Sequence, residues 1–84
     1  MNPRKTLARV LAGSRNIRFV DMHNLVEGFG FHMSRTSGSH HIFSRPGIPE
    51  LVSLQEVRGE AKPYQIRQFI KIVERYDLRL MDKP

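Results

Sequence analysis

Gly38-Ser39-His40-His41-Ile42-Phe43 sets two of the chain's four histidines side by side, after a glycine and before an apolar pair. Imidazole is the side chain that most readily both takes and gives a proton near neutral pH. A rigidly held histidine is therefore a candidate general acid or base. Gly38 can adopt positive φ, and the residues after it have the composition of a short strand. Successive strand side chains point to opposite faces, so His40 and His41 cannot share an environment. Phe43 claims the buried face, and by period two it takes His41 with it. His41 then reads as a core or half-buried histidine with one hydrogen bond. His40 looks outward, with Ser39 beside it at the turn.

Metal binding fits this pair poorly, because a zinc site needs three or four convergent ligands and adjacent strand residues diverge. A Ser39–His40 nucleophile lacks the third group that would orient the base, and Ser39 suits the backbone needs of a turn. General acid–base work by His40 fits better. It could take a proton from an RNA 2′-hydroxyl or protonate a leaving 5′-oxygen, while cations hold the phosphate. The cations available are Lys62, Arg67, Lys71, Arg58, Arg35 and Arg45. The plain alternative is a solvated surface histidine. His23 and His32 lack comparable company and read as surface residues.

Those side chains need elements to hold them. Asn2-Pro3 offers an N-cap and a proline at the first helical position, with Leu7, Val10 and Leu11 on one face and Gly13 as a stop. Met22, Leu25, Val26 and Phe29 recur at i, i+3, i+4, i+7, which predicts a helix over Phe19 to Phe29. Asp21 suits its first turn, Gly30 its left-handed end, and Gly28 weakens its interior. Three strands are expected at Phe31 to Thr36, Ser39 to Arg45 and Glu50 to Gln55. Ser37-Gly38 and Pro46-Gly47-Ile48-Pro49 would be the turns between them. Val57 to Ala61 reads as a loop. Pro63 opens a last helix to about Tyr76, with Ile66, Phe69, Ile70 and Val73 inward and Arg67, Lys71 and Arg75 as a basic stripe. Lys62 stands at its N-terminus, where backbone N–H groups favour an anion.

The expectation is one domain over 1–84: a helix and connection at 1–16, a core at 17–77 and a tail at 78–84. The fold class is α+β, with two helices laid on one face of a three-stranded antiparallel sheet. The 39% apolar fraction is enough for a small two-layer core, and the absence of cysteine rules out disulfide or thiolate support. No run is long and apolar enough for a membrane span, and no signal-peptide core follows the basic N-terminus, so a cytoplasmic location is expected. A net charge of +6, interleaved through the chain, favours a polyanionic partner: nucleic acid or an acidic protein surface.

The Gly38–Phe43 segment resembles the HicA family of toxin–antitoxin mRNA interferases. Glu27-Gly28-Phe29-Gly30-Phe31 before it shares the likeness, as does Gly59-Glu60-Ala61-Lys62-Pro63-Tyr64-Gln65-Ile66-Arg67-Gln68-Phe69 after it. The likeness runs from about Arg18 to Tyr76. It implies a double-stranded-RNA-binding-domain-like fold, α-β-β-β-α, with the first helix as an addition. It implies a ribonuclease that cleaves mRNA without a metal or cofactor, and its essential strand histidine carries over to His40. It also implies a HicB-type antitoxin covering the active surface. Compact members carry a basic residue soon after the histidine pair, a place Arg45 takes here. The expected RNA contacts are then Arg35, Ser39, Arg45, Arg58, Lys62, Arg67 and Lys71, with Gly38, His41 and Phe43 shaping the site. The same fold and charge would also serve a non-catalytic RNA-binding module or a basic protein-interaction domain.

Overall fold

The computed structural model describes residues 1–81 as three helices and one sheet. The order is α1 (Pro3–Leu11), α2 (Phe19–Gly28), β1 (His32–Ser37), β2 (His40–Arg45), β3 (Ile48–Val57), β4 (Glu60–Ala61) and α3 (Pro63–Arg75). Each strand pairs antiparallel with its sequence neighbour, so the sheet runs β1-β2-β3-β4. The helical layer rests on one face, and α1 packs on α2. This is the α+β, double-stranded-RNA-binding-domain-like architecture expected, with a fourth strand added.

That fourth strand replaces the expected loop at Val57 to Ala61. Val57 pairs with Glu60 and Glu56 with Ala61 around a two-residue turn, Arg58-Gly59, whose φ angles are +54° and +80°. Two left-handed residues match the twist of a hairpin, and such turns normally carry Asn, Asp or Gly first. An arginine there hid the turn. A left-handed non-glycine costs about 1–2 kcal/mol, less for Asn. Arg58→Asn should therefore raise the melting temperature by a few degrees; an unchanged or lower melting temperature would show the turn to be unstrained.

Of the other turns, the first is shifted by one residue and the second is tighter than predicted. Ser37 pairs with His40, so the β1–β2 turn is Gly38-Ser39 rather than Ser37-Gly38, with Gly38 at φ +60° in its first position. Arg45 pairs with Ile48, which leaves only Pro46-Gly47 as the β2–β3 turn. Pro49 therefore lies inside β3. Its missing N–H falls on the side away from β2, where β4 does not reach, so no ladder bond is lost.

The predicted helical stripe of α2 is buried throughout: Met22, Leu25 and Val26 are fully enclosed and Phe29 nearly so. After Gly28 the chain turns by a left-handed Gly30, whose N–H reaches the Glu27 carbonyl while the Phe31 N–H reaches that of Val26. This closes the helix and drives Phe31 into the core. Phe69 of α3 meets Phe29 and Phe31 edge-on, at ring-centroid distances of 5.6 and 5.8 Å. In α1 the inward stripe is Pro3, Thr6, Leu7 and Val10, with Thr6 the buried member. Leu11 lies one step beyond that stripe and is 64% exposed, contrary to the expected face.

The segment from Leu78 is more than a tail. Leu78 and Leu80 pack on the core, and the Met81 N–H bonds the Gly28 carbonyl at 2.8 Å. A Cβ at position 28 would stand 2.7 Å from Leu80 Cδ1, so the glycine that weakens α2 also admits this strap. Residues 82–84 lie outside the described residues.

The far end of α3 is tied to β3. Glu50 accepts hydrogen bonds from the Tyr76 hydroxyl at 2.6 Å and from the Arg75 guanidinium. The Tyr76 bond, helped by Arg75, holds the Glu50 carboxyl below the ordinary carboxylate range, and Glu50 raises the Tyr76 phenol in turn. A lowered carboxylate contributes fully above its unfolded value, ~4.3, and loses that contribution as pH falls through its folded value. Glu50→Gln should thus be less stable than wild type at pH 7, with the gap closing toward pH 3. Urea midpoints at pH 7, 5 and 3 test this, and a gap that persists in acid would refute it.

Candidate active site

His40 opens β2 directly after the Gly38-Ser39 turn, across from Ser37 on one side and Gln55 on the other. His41 and Phe43 face the helices: His41 stacks on Phe19 at 4.6 Å and Phe43 meets His23 at 5.1 Å, both partners on α2. By strand alternation His40 therefore stands on the opposite, uncovered face, and it is exposed. Ser37 and Gln55 share its row. Arg35, exposed and paired across from Ile42, lies on the same face at the diagonal position, roughly 7–8 Å away between backbones. A bulge at Ser34 sets that register, since the pairing steps from Met33–Phe43 to Arg35–Ile42 while the Ser34 hydroxyl donates to the Ile42 carbonyl.

Several other segments reach the same end of the sheet. The Arg58-Gly59 turn begins three residues beyond Gln55, at the end of β3. Position 62 follows β4 at the register point opposite Gln55, so Lys62 stands roughly two strand spacings, about 10 Å, from His40. Lys62 is also the N-cap residue of α3. α2 begins here too: Arg18 bridges Glu60, and the Phe19 N–H bonds the Gly59 carbonyl at 2.8 Å. Buried Gln65 fastens the arrangement. Its side-chain oxygen takes the Gln55 N–H at 2.6 Å, where β4 is too short to do so, and thereby pins the first turn of α3 to the histidine's row.

The expected site residues therefore divide. Gly38, Ser39, His40, His41, Arg35, Arg58 and Lys62 gather at this end. Arg67 and Lys71 are exposed on α3, in the helical layer; Arg67 borders a shallow cleft against the end of α1 with Pro63, Ile66 and Ile70. Lys71 lies nine residues along α3 from Lys62, about 13 Å. Arg45 is at the other end of β2, about 17 Å from His40. Its guanidinium donates to the Phe29 carbonyl at 2.8 Å and lies against Gly30, so it closes α2. Phe43 is wholly buried and supports the strand from beneath.

Sequence reasoning missed four participants. Arg18 and Phe19 come to the site only through β4, which was read as a loop. Gln65 carried no signal as a polar residue on a buried helix face. His23, read as a surface residue, is half-buried between Phe19 and Phe43 and 3.5 Å from Glu27. Its place one turn after Phe19 is the cue that could have found it.

The His41 ring is fixed by an Nδ1 contact to the Ser39 carbonyl at 3.2 Å. A carbonyl only accepts, so Nδ1 carries the proton in this contact. His40 makes no such commitment to the fold. Among the described residues no three His, Cys, Asp or Glu side chains come together as a metal-binding group, and no helix is long and apolar enough to cross a membrane. An exposed imidazole with Arg35, Arg58 and Lys62 around it can exchange protons with a bound phosphodiester and hold its charge.

Neither a curated protein nor a solved structure matches the chain. The family model described as HicA toxin of bacterial toxin–antitoxin systems matches residues 20–74, roughly two thirds of the sequence. The match opens in α2, takes in the whole sheet and closes in α3, leaving α1 outside. The chain belongs to the HicA toxin family.

Proposed function

We propose that this toxin is a metal-independent endoribonuclease that cleaves mRNA in the cytoplasm and is silenced by a HicB-type antitoxin. The 2′-oxygen of a ribose attacks the adjacent phosphorus, forming a P–O2′ bond as the P–O5′ bond breaks. One proton leaves the 2′-hydroxyl and one arrives at the departing 5′-oxygen. His40 performs one of these transfers. Arg35, Arg58 and Lys62 hold the phosphate, Ser39 contacts it from the turn, and Arg67 and Lys71 follow the RNA along α3. Arg45 is left out of the contact set because its guanidinium is engaged at the end of α2.

The observation that carries this reading is the position of His40: exposed on the helix-free face, at the end of the sheet shared with Arg35, Arg58 and Lys62, in a HicA-family chain. The test is incubation of the purified protein with RNA in excess chelator, followed by analysis of the new ends. Ends bearing a 2′,3′-cyclic phosphate are expected. Ends bearing a 3′-hydroxyl would exclude attack by the 2′-oxygen, and loss of cleavage with chelator would exclude the metal-free route.

A further inference from the structure

We propose that the Phe19–His41 ring pair is a stacking ledge for an unpaired base next to the phosphate that His40 attends. The proposal rests on the ribonuclease reading and adds a substrate requirement to it: a single-stranded stretch whose base can splay out. Both residues are half-buried at the edge of the core. Their centroids are 4.6 Å apart and their planes tilt by 52°, so together they form a bent aromatic surface.

This surface is held rigidly. The His41 ring is held by its Nδ1 contact to the Ser39 carbonyl, and the backbone that carries Phe19 is fixed by its N–H bond to the Gly59 carbonyl. Behind them, His23 and Phe43 continue the aromatic packing at 6.4 Å from Phe19 and 5.1 Å from each other. A platform that does not move loses little entropy when a base settles on it.

Position and charge choose a nucleobase over a protein side chain. His40 and His41 are neighbours on opposite faces at the end of a strand, beside a two-residue turn. A polynucleotide crossing that end meets the imidazole of His40 on one side and the aromatic ledge on the other. A duplex keeps its bases stacked inward and cannot do this. The exposed cations at this end are Arg18, Arg35 and Arg58, with Lys62 half-buried, against the carboxylates of Glu56 and Glu60, which leaves a positive balance for the backbone.

The test uses the full chain and a 2′-O-methyl oligonucleotide, which binds without being cleaved. It is prepared intact or with a single abasic site scanned along it. Stacking of one base on an aromatic ring is worth roughly five- to a hundredfold in affinity. An abasic site at one position should weaken wild-type binding by that factor, and Phe19→Leu should weaken binding of the intact strand similarly. Combined, the two changes should cost no more than either alone. His41→Ala should show the same loss of sensitivity, so the result does not depend on one variant folding well. Additive losses at every abasic position, or equal binding of single-stranded and duplex RNA, would overturn the ledge. If the non-additive pattern appears but natural RNA is not cut, the ledge stands and the ribonuclease reading falls.

Discussion

His40→Ala is expected to leave a folded protein that cleaves RNA roughly 100- to 10,000-fold more slowly than wild type. The size of the effect is that of removing a positioned general acid or base. The fold should survive because His40 is exposed and makes no hydrogen bond that the structure depends on. Surface replacements of this kind usually shift stability by less than 0.5 kcal/mol. The measurement is initial cleavage rate at matched protein concentration, with urea unfolding of both proteins as a control. In cells, induced wild type should arrest growth and His40→Ala at equal abundance should not. Equal cleavage by the two proteins would remove His40 from the chemistry. Arrest by both without cleavage would point to RNA or protein binding as the toxic act.

Phe69→Ala should cost about 3–5 kcal/mol of folding stability. The side chain is 1% exposed and stands edge-on to both Phe29 and Phe31, which come from either side of the α2 terminus. Truncation leaves a void between the two layers that neither ring can fill without breaking its own packing. For a chain of this length the whole stability is about 4–13 kcal/mol, so this one change removes a large part of it. Urea titration of the two proteins measures the loss. A cost under 1 kcal/mol would mean that the layers close over the gap and that Phe69 is not central.

The periodic parts of this fold were legible in the sequence. Met22, Leu25, Val26 and Phe29 announce α2 because one helix face must be apolar, and Phe43 assigns the faces of β2 because strands alternate. That alternation alone separated His40 from His41. What depended on tertiary contact was not legible. Arg45 looks like any other cation until the Phe29 carbonyl and Gly30 stand beside it. Arg67, Lys71 and Lys62 form one group by sequence, yet only Lys62 lies at the histidine's end, because helix periodicity does not say which end of α3 meets the turn. β4 was hidden by an arginine in a left-handed turn position, and Arg18 and Phe19 were hidden with it. Leu80 reads as part of a free end because its docking requires the missing side chain of Gly28.

The hairpin-only connectivity of the sheet has a consequence for how fast the chain finds its structure. Each strand joins the next through two residues, at Gly38-Ser39, Pro46-Gly47 and Arg58-Gly59. Loop-closure entropy grows with the length closed, so these pairings require the smallest such loss available to a sheet. The docking of the helices onto the sheet, the Arg18–Glu60 bridge and the strap that ends at Met81 join residues far apart in sequence. Mixed α/β domains fold between the helical bundles and the all-β barrels, and this topology lies toward the faster side of that range. The turn that presents His40 belongs to the first strand pairing in the chain, so the β1–β2 part of the His40 corner needs only local contacts, whereas Arg18, Phe19 and Gln65 join it through contacts distant in sequence.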